Sequence, residues 1–308
     1  MINKIIFFNH QSLTEKIIED FFFLNFIKSG FNLEYWDLTN VVFKNKTTCI
    51  IQDQKIKIIK LSKLDEFESK IKQMQINETL FVSLITYEYR VINIFKLLTK
   101  YSCKTSFFAR GAQPLVSKRT NIVLYILYRI RSIFSLNKIH TIILNKYAVY
   151  LKKNRKVKFY DIVFCAGLEG LRVIGHGYEI EKVNSQIQYI NTIDYDIYQK
   201  NNELQNEALE KYCVFLDEYL PYHPDFDLLN IKTIPPDSYY KSINTFFDQI
   251  EEKFNLKVLI AAHPKAILYK KINPFQGRQI VFNSTSKLVK FSEFIIAHNT
   301  TSISFAIL

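Results

Sequence analysis

Short apolar runs alternate with amphipathic stretches from the first residues onward. Ile5-Ile6-Phe7-Phe8 has the length and unbroken apolarity of a strand buried on both faces, residues 12–28 repeat apolar positions at helical spacing, and Leu33-Glu34-Tyr35-Trp36 reads as a second strand. The rhythm resumes with a strand at Leu80-Phe81-Val82-Ser83-Leu84, a helix from about Tyr89 to Lys100 and a strand at Thr105-Ser106-Phe107-Phe108. Strand and helix in strict alternation predict a parallel sheet covered by helices on both faces.

Residues 119 to about 150 form a long helical stretch, with a break expected near Asn137. In it Arg129, Arg131 and Lys138 interleave with Leu124, Tyr125, Tyr128, Ile130 and Phe134. Such a stretch suits a membrane surface, and it suits equally a core helix with a solvated basic edge. A strand at Asp161-Ile162-Val163-Phe164-Cys165 then runs into a turn at Ala166-Gly167, and the polar segment 199–210 reads as an interdomain helix or linker. Beyond it, strands at Tyr212–Leu216, Lys257–Ala262 and Phe294–Ala297, with a helix from Tyr239 to Phe254, repeat the α/β alternation. The division is therefore into residues 1–200 and 201–308.

Composition adds a sign rather than a fold. A net charge of +12 over 308 residues favours an anionic partner: nucleic acid, a membrane surface, or acidic sugars and their nucleotide donors. No run of five consecutive Lys and Arg marks a nucleic-acid tail. The densest patch, Lys152-Lys153-Asn154-Arg155-Lys156, follows the long apolar-aromatic segment and fits a membrane-facing surface better. Cys49, Cys103, Cys165 and Cys213 lie too far apart for a zinc site or a Cys-x-x-Cys pair, so reduced buried thiols are expected. The N-terminus lacks a signal-peptide pattern and no segment reaches the ~18 apolar residues of a spanning helix, so a cytoplasmic location is expected.

Candidate chemistry gathers beyond strand ends of the second half, where open parallel sheets bind their ligands. His263-Pro264 follows Val258–Ala262; proline keeps the preceding residue extended, so His263 should project from the carboxyl edge into an interdomain crevice. There it could serve a phosphate or a leaving oxygen, or simply cap a loop. His298-Asn299-Thr300-Thr301-Ser302 precedes Ile303–Leu308, read as a buried helix; hydroxyls and amides at a helix start make an anion site, although a plain N-cap uses the same residues. The ~35-residue separation of these two turns is natural for neighbouring loops of one parallel sheet. Asp217-Glu218, beyond Tyr212–Leu216, could supply a general base, or could cap a helix or pair with lysines. Asp194 and Asp196 would share one face of an extended segment, as a divalent metal requires, but Asp225-Phe226-Asp227 repeats the pattern and a solvated strand edge explains both. No glycine-rich loop of the dinucleotide or P-loop kind occurs.

The run Leu-Ile-Ala-Ala-His-Pro-Lys-Ala, then Phe275-Gln276-Gly277-Arg278, Ser286-Lys287-Leu288-Val289-Lys290 and His298-Asn299-Thr300-Thr301-Ser302, resembles bacterial capsule and lipooligosaccharide glycosyltransferases. Within that group it is most similar to sialyltransferase-like enzymes that use CMP-activated acidic sugars, over residues 211–308. The resemblance implies a GT-B architecture: two Rossmann-like domains facing across a cleft, with the acceptor on the first and the donor on the second. It carries donor contacts to His263, Pro264, Thr300, Thr301 and Ser302, and implies transfer without a metal or other cofactor. In that family the acid/base comes from an acidic pair followed by Gly; here Asp217-Glu218 is followed by Tyr219, while Leu168-Glu169-Gly170 keeps the Gly without the pair. Such enzymes usually continue past the point corresponding to Leu308, so an incomplete C-terminal domain is expected. The implied partners are a nucleotide-sugar donor, a glycan or glycolipid acceptor and the inner-membrane surface.

Two other readings use the same residues. One keeps the fold and changes the donor to a UDP-sugar, or the reaction to sugar-nucleotide epimerisation. The other is a basic peripheral membrane protein acting through residues 119–156. Nucleic acid is disfavoured because no RNA- or DNA-binding motif accompanies the charge.

Overall fold

The computed structural model describes residues 1–43, 56–110, 136–167, 169–201, 210–229, 232–298 and 300–308. They form two compact units, Met1–Asn191 and Thr192–Leu308. The expected boundary at residues 200/201 falls nine residues beyond this division, and the predicted linker lies largely outside the described residues.

In the first unit the strands are β1 (Lys4–Asn9), β2 (Asn32–Asp37), β3 (Lys57–Lys60), β4 (Thr79–Ser83), β5 (Lys104–Ala109), β6 (Ile162–Cys165) and β7 (Gln186–Tyr189). They make one parallel sheet in the order β3-β2-β1-β4-β5-β6-β7. The helices are α1 (Glu15–Asp20), α2 (Phe23–Lys28), α3 (Thr39–Val42), α4 (Leu64–Lys72), α5 (Ile92–Lys100), α6 (Leu136–Lys153) and α7 (Tyr178–Asn184). Both faces of the sheet are covered because its central strands are apolar at successive positions. Ile6 and Phe8 of β1 enter a core with Trp36, Phe67, Phe81 and Phe95, while Ile5 and Phe7 enter the opposite one with Phe23, Tyr35 and Val82.

Two expectations change here. Residues 12–28 are two helices rather than one, broken at Phe22, whose φ of 58° is left-handed. The break lets Phe23 pack 4.1 Å from Phe7, while the buried Arg110 lies 4.7 Å over the Phe22 ring and donates to the Asp20 carbonyl at the end of α1. The described part of the predicted 119–150 stretch is the helix α6; Arg129, Arg131 and the apolar positions before 136, and with them the expected break near Asn137, lie outside the described residues. Lys152 is not part of a surface patch: it is fully buried, ion-paired with Glu181 of α7 and 4.0 Å over the Tyr87 ring. Glu181 also accepts the Tyr160 N–H at 3.0 Å, and burial holds the Lys152 ammonium below the usual lysine range. Cys103, Cys165 and Cys213 are free and buried as expected, and Cys49 lies outside the described residues.

The second unit contains β8 (Tyr212–Leu216), β9 (Lys257–Ala261), β10 (Ile280–Val281) and β11 (Ile295–Ala297), parallel in the order β10-β9-β8-β11. Its helices are α8 (Ile193–Lys200), α9 (Pro224–Leu229), α10 (Pro236–Phe254) and α11 (Thr285–Lys290). Both sheets place their first strand between the second and the fourth, which is the Rossmann-like order, so the fold class expected from the sequence is present in each unit. In both, the direction in which successive strands are added reverses at the first strand: a topological switch point lies between β1 and β4, and another between β8 and β11. Among the described residues no helix is long and apolar enough to cross a membrane.

Replacing Lys152 by Met strands the Glu181 carboxylate in the core, at an expected cost of about 3–5 kcal/mol. The urea midpoint reads this directly, and Lys152→Met combined with Glu181→Gln should recover part of the loss. Equal losses in the single and double variants would remove the ion pair from the account.

Candidate functional site

The carboxyl edge of the second sheet assembles most of the residues singled out in the sequence. Leu216 lies level with Ala261 on one side and Ala297 on the other, so the chain leaves β8 at Asp217 between the turns that follow β9 and β11. The expectation that those two turns are neighbours is corrected: β8 separates them, and the residues between β9 and β11 are spent on β10 at the far edge and on α11. His263 follows β9 on one side of Asp217, while His298 and the 300–302 turn follow β11 on the other.

Asp217 extends the sheet ladder by one bond, its N–H donating to the Ala261 carbonyl at 3.1 Å. That bond holds its side chain at the sheet edge, where it is only 5% exposed. Among the described residues neither carboxylate oxygen has a hydrogen-bond partner. Burial pushes its pKa from 3.8 up to about 6; the Tyr219 amide, the Tyr269 hydroxyl and the His263 amide come near enough to temper the rise, none at hydrogen-bonding geometry, and the Glu218 charge adds to it. The same burial, with Asp217 close by, drives the Tyr269 hydroxyl far above the ordinary tyrosine range, and Tyr269 shares a 2.8 Å hydrogen bond with Tyr240.

The turn after Asp217-Glu218 carries the clearest backbone anomaly of the site. Tyr219 has φ 56° and ψ 33°, a left-handed conformation that costs a bulky residue energy and a glycine almost none. Its ring is buried, 5.1 Å from Tyr269 and edge-on to it, which offsets the strain. Glu169 and Gly170, the other place where the acidic-Gly pattern half-occurs, are accounted for differently. Glu169 is an exposed partner of Arg172, and a Cβ on Gly170 would stand 2.9 Å from the Ala109 carbonyl oxygen, so packing requires the glycine.

Glu218 lines a pocket of about 600 Å³ together with Phe226, Ile234, Tyr239, Ser242 and His298. The pocket is widely open to solvent, and its walls combine aromatic faces with a few polar groups. His298 packs edge-on against Phe215 at 5.6 Å, and its Nε2 shares a 3.2 Å hydrogen bond with the Tyr239 hydroxyl.

The 300–302 turn differs from expectation. Residues 301–306 form a short 3-10 helix with none of its residues buried, and Ile307 is 70% exposed. A run this short has too few aligned peptides for a useful macrodipole. Thr300 is its N-cap, accepting the Ser302 N–H at 3.3 Å, which leaves the Thr301 and Ser302 hydroxyls outside the capping bond. Asn299 lies outside the described residues. Asp194 and Asp196 are not on an extended segment: Thr192 caps α8, the two carboxylates point to different sides of that helix, and Asp194 accepts from the Ser304 hydroxyl.

Two residues to which the sequence assigned no role, His223 and Lys265, stand beside His263. The His223 ring lies 4.9 Å from it, and Lys265 bonds Asp225 across the two loops at 2.8 Å. The available signal was that the dipeptide His-Pro occurs twice, at 223–224 and 263–264. In the first unit the corresponding edge carries Asp37, but its carboxylate is occupied by the Thr39 N–H and hydroxyl and by Ser12.

No protein-family model matches the chain, and no curated protein sequence does. Solved structures overlap it loosely. UGT89C1 of Arabidopsis thaliana does so with a TM-score of 0.47 at 7% identity, over 99% of this chain and 76% of that one. The calicheamicin glycosyltransferase CalG4 gives 0.43 at 10% identity, over 99% and 77%. An alpha-glucosyltransferase bound to UDP and DNA gives 0.39 at 12% identity, over 95% and 70%.

Asp217 sets a pH signature on stability. Its folded pKa is raised, so its contribution is fully present below about 3.8 and is lost as pH rises through about 6. Asp217→Asn, which mimics the protonated form, should therefore stabilise the protein at pH 8 by roughly 3 kcal/mol. The gap between the two urea midpoints should close as pH falls from about 6 to about 4; a gap independent of pH would mean that Asp217 titrates normally.

Proposed function

We propose that the protein is a glycosyltransferase that moves an acidic, sialic-acid-like sugar from a CMP-activated donor to a hydroxyl of a bacterial surface glycan or glycolipid. The observation that carries it is Asp217: a buried carboxylate with a pKa near 6 and no hydrogen-bond partner among the described residues, at the switch point of a Rossmann-like sheet and beside an open pocket. A base must be ionised at working pH yet basic enough to take a hydroxyl proton, and a carboxylate raised to about 6 meets both conditions. The left-handed Tyr219 supports matching Asp217-Glu218 with the acidic pair that precedes a glycine in the sialyltransferase-like enzymes, because the backbone adopts the conformation that glycine favours.

In this reading Asp217 takes the proton of the acceptor hydroxyl as its oxygen attacks the anomeric carbon, and the bond from that carbon to the donor phosphate breaks. The phosphate leaves as an anion stabilised by hydrogen-bond donors. His263 is the first of these, with Thr301 and Ser302 on the other side of β8, and the pocket walled by Glu218, Tyr239 and His298 takes the nucleoside. The first unit is assigned the acceptor. The solved structures that overlap the chain include complexes with UDP, and a UDP-sugar is the alternative donor.

Helix α6 supports a peripheral membrane location. Asn145, Ala148, Leu151 and Lys152 face the core, while Ile139, Ile142, Ile143, Tyr147 and Tyr150 are exposed on the other side, near exposed Lys146, Lys153, Arg155 and Lys156. Apolar and tyrosine side chains flanked by lysine suit the headgroup region of an anionic bilayer.

Two tests follow. Transfer should rise with pH through an apparent pKa near 6 and be nearly abolished in Asp217→Asn, while His263→Ala loses ~10²-fold. Calorimetry should rank CMP above UMP for the wild type and weaken CMP when Thr301 and Ser302 are both Ala. Full turnover in folded Asp217→Asn would sink the mechanism, and preference for UMP would replace the donor. Separately, the protein should sediment with phosphatidylglycerol vesicles and much less with phosphatidylcholine, and Tyr147→Asp with Tyr150→Asp should release it; binding unaffected by those changes would exclude α6 as the contact.

A further inference from the structure

The two His-Pro segments are built alike. His223-Pro224-Asp225 lies beyond β8 and His263-Pro264-Lys265 beyond β9. In each, the imidazole Nδ1 accepts the backbone N–H of the residue two places on, Asp225 at 3.2 Å and Lys265 at 3.1 Å. A neutral imidazole has one ring proton, so an accepting Nδ1 puts that proton on Nε2 in both rings. The ring centroids are 4.9 Å apart with planes at 68°.

The residues at the third positions carry opposite charges and use them on each other. Lys265 Nζ bonds Asp225 Oδ1 at 2.8 Å, and Asp225 Oδ2 stands 3.8 Å from His223 Nδ1. Half-exposed ion pairs of this kind add little stability, so the effect of this one is to fix the spacing of the two loops and hence of the two rings. His223 keeps 18% of its side chain accessible, enough for a ligand to reach it.

We propose that His223 and His263 form a paired imidazole site for the donor's phosphate, with His223 as a second phosphate-binding residue and the Asp225–Lys265 pair as the strap that sets its position. This rests on the glycosyl-transfer reading above for the identity of the ligand, not for the existence of the site. With Nδ1 accepting in both, each ring carries its proton on Nε2, and two such N–H groups on adjacent loops suit two oxygens of one phosphate. Protonating either ring would set an N–H against the amide that Nδ1 now accepts, so both work in the neutral form. Among the described residues the groups facing His223 are Asp225, Lys265 and His263, with Phe226 edge-on at 6.1 Å; burial, then Lys265, lowers the His223 pKa against the opposing pull of Asp225.

Inorganic pyrophosphate, CMP and cytidine titrated into the full chain test this. Both anions should bind about tenfold more weakly to His223→Ala and to His263→Ala, with cytidine unchanged. Long-range proton–nitrogen spectra of the wild type should report Nε2–H tautomers for both histidines and a shift of both Nε2 signals on adding pyrophosphate, which a merely structural His223 would not give. If His223→Ala fails to fold, His223→Asn keeps an acceptor for the Asp225 N–H and serves in its place. Unchanged affinity for pyrophosphate and CMP in a folded His223 variant overturns the pair and leaves the glycosyltransferase reading standing. Pyrophosphate binding through both rings without any nucleotide binding upholds the pair and sinks the CMP donor instead, and wild-type Nε2 signals indifferent to pyrophosphate overturn the pair outright.

Discussion

A single backbone bond, from the Asp217 N–H to the Ala261 carbonyl, fixes the position of the proposed base in the second unit. It carries the β8–β9 ladder one residue past the strand, so a carboxylate that would otherwise reach water is drawn to the edge of the core. Desolvation then does what no neighbouring charge is needed for: it makes the group basic. The aromatic wall around it, Tyr219, Tyr240 and Tyr269, excludes water, and the left-handed turn at Tyr219 is the conformational cost of bringing that wall round. The proposed base, phosphate donors and pocket are all consequences of strands that end at one level.

The central strands were legible because they are buried on both faces. Runs such as Ile5–Phe8, Leu80–Leu84 and Tyr212–Leu216 have no polar alternation to confuse with a helix. β3, β7 and β10 were not, since Lys57-Ile58-Ile59-Lys60 and Gln186-Ile187-Gln188-Tyr189 are half-exposed edge strands and Ile280-Val281 is two residues long. The single helix read over residues 12–28 failed because its break is imposed by Arg110, some 90 residues on, and no local pattern announces such a partner.

For the site, the residue types were legible and their partners were not. Asp217, Glu218 and His263 stand at one sheet edge as strand-end logic implies, but that β8 would lie between the β9 and β11 turns depends on strand order, which spacing does not encode. Lys152 looked like surface charge because its partner Glu181 belongs to another helix. Thr300 shows the opposite case: a local capping bond, readable in principle from Thr-x-Ser, accounts for one hydroxyl of the three.

The Lys152–Glu181 pair has a mechanical consequence for α6. An amphipathic helix held only by interchangeable apolar contacts can roll about its axis by tens of degrees as its packing adjusts. One pinned near its end by an ammonium that must meet a particular carboxylate, over a particular ring, cannot. The azimuth of the outward stripe, Ile139 to Tyr150, is thereby set from the inside, and a flat surface meeting that stripe would hold the first unit at one fixed tilt.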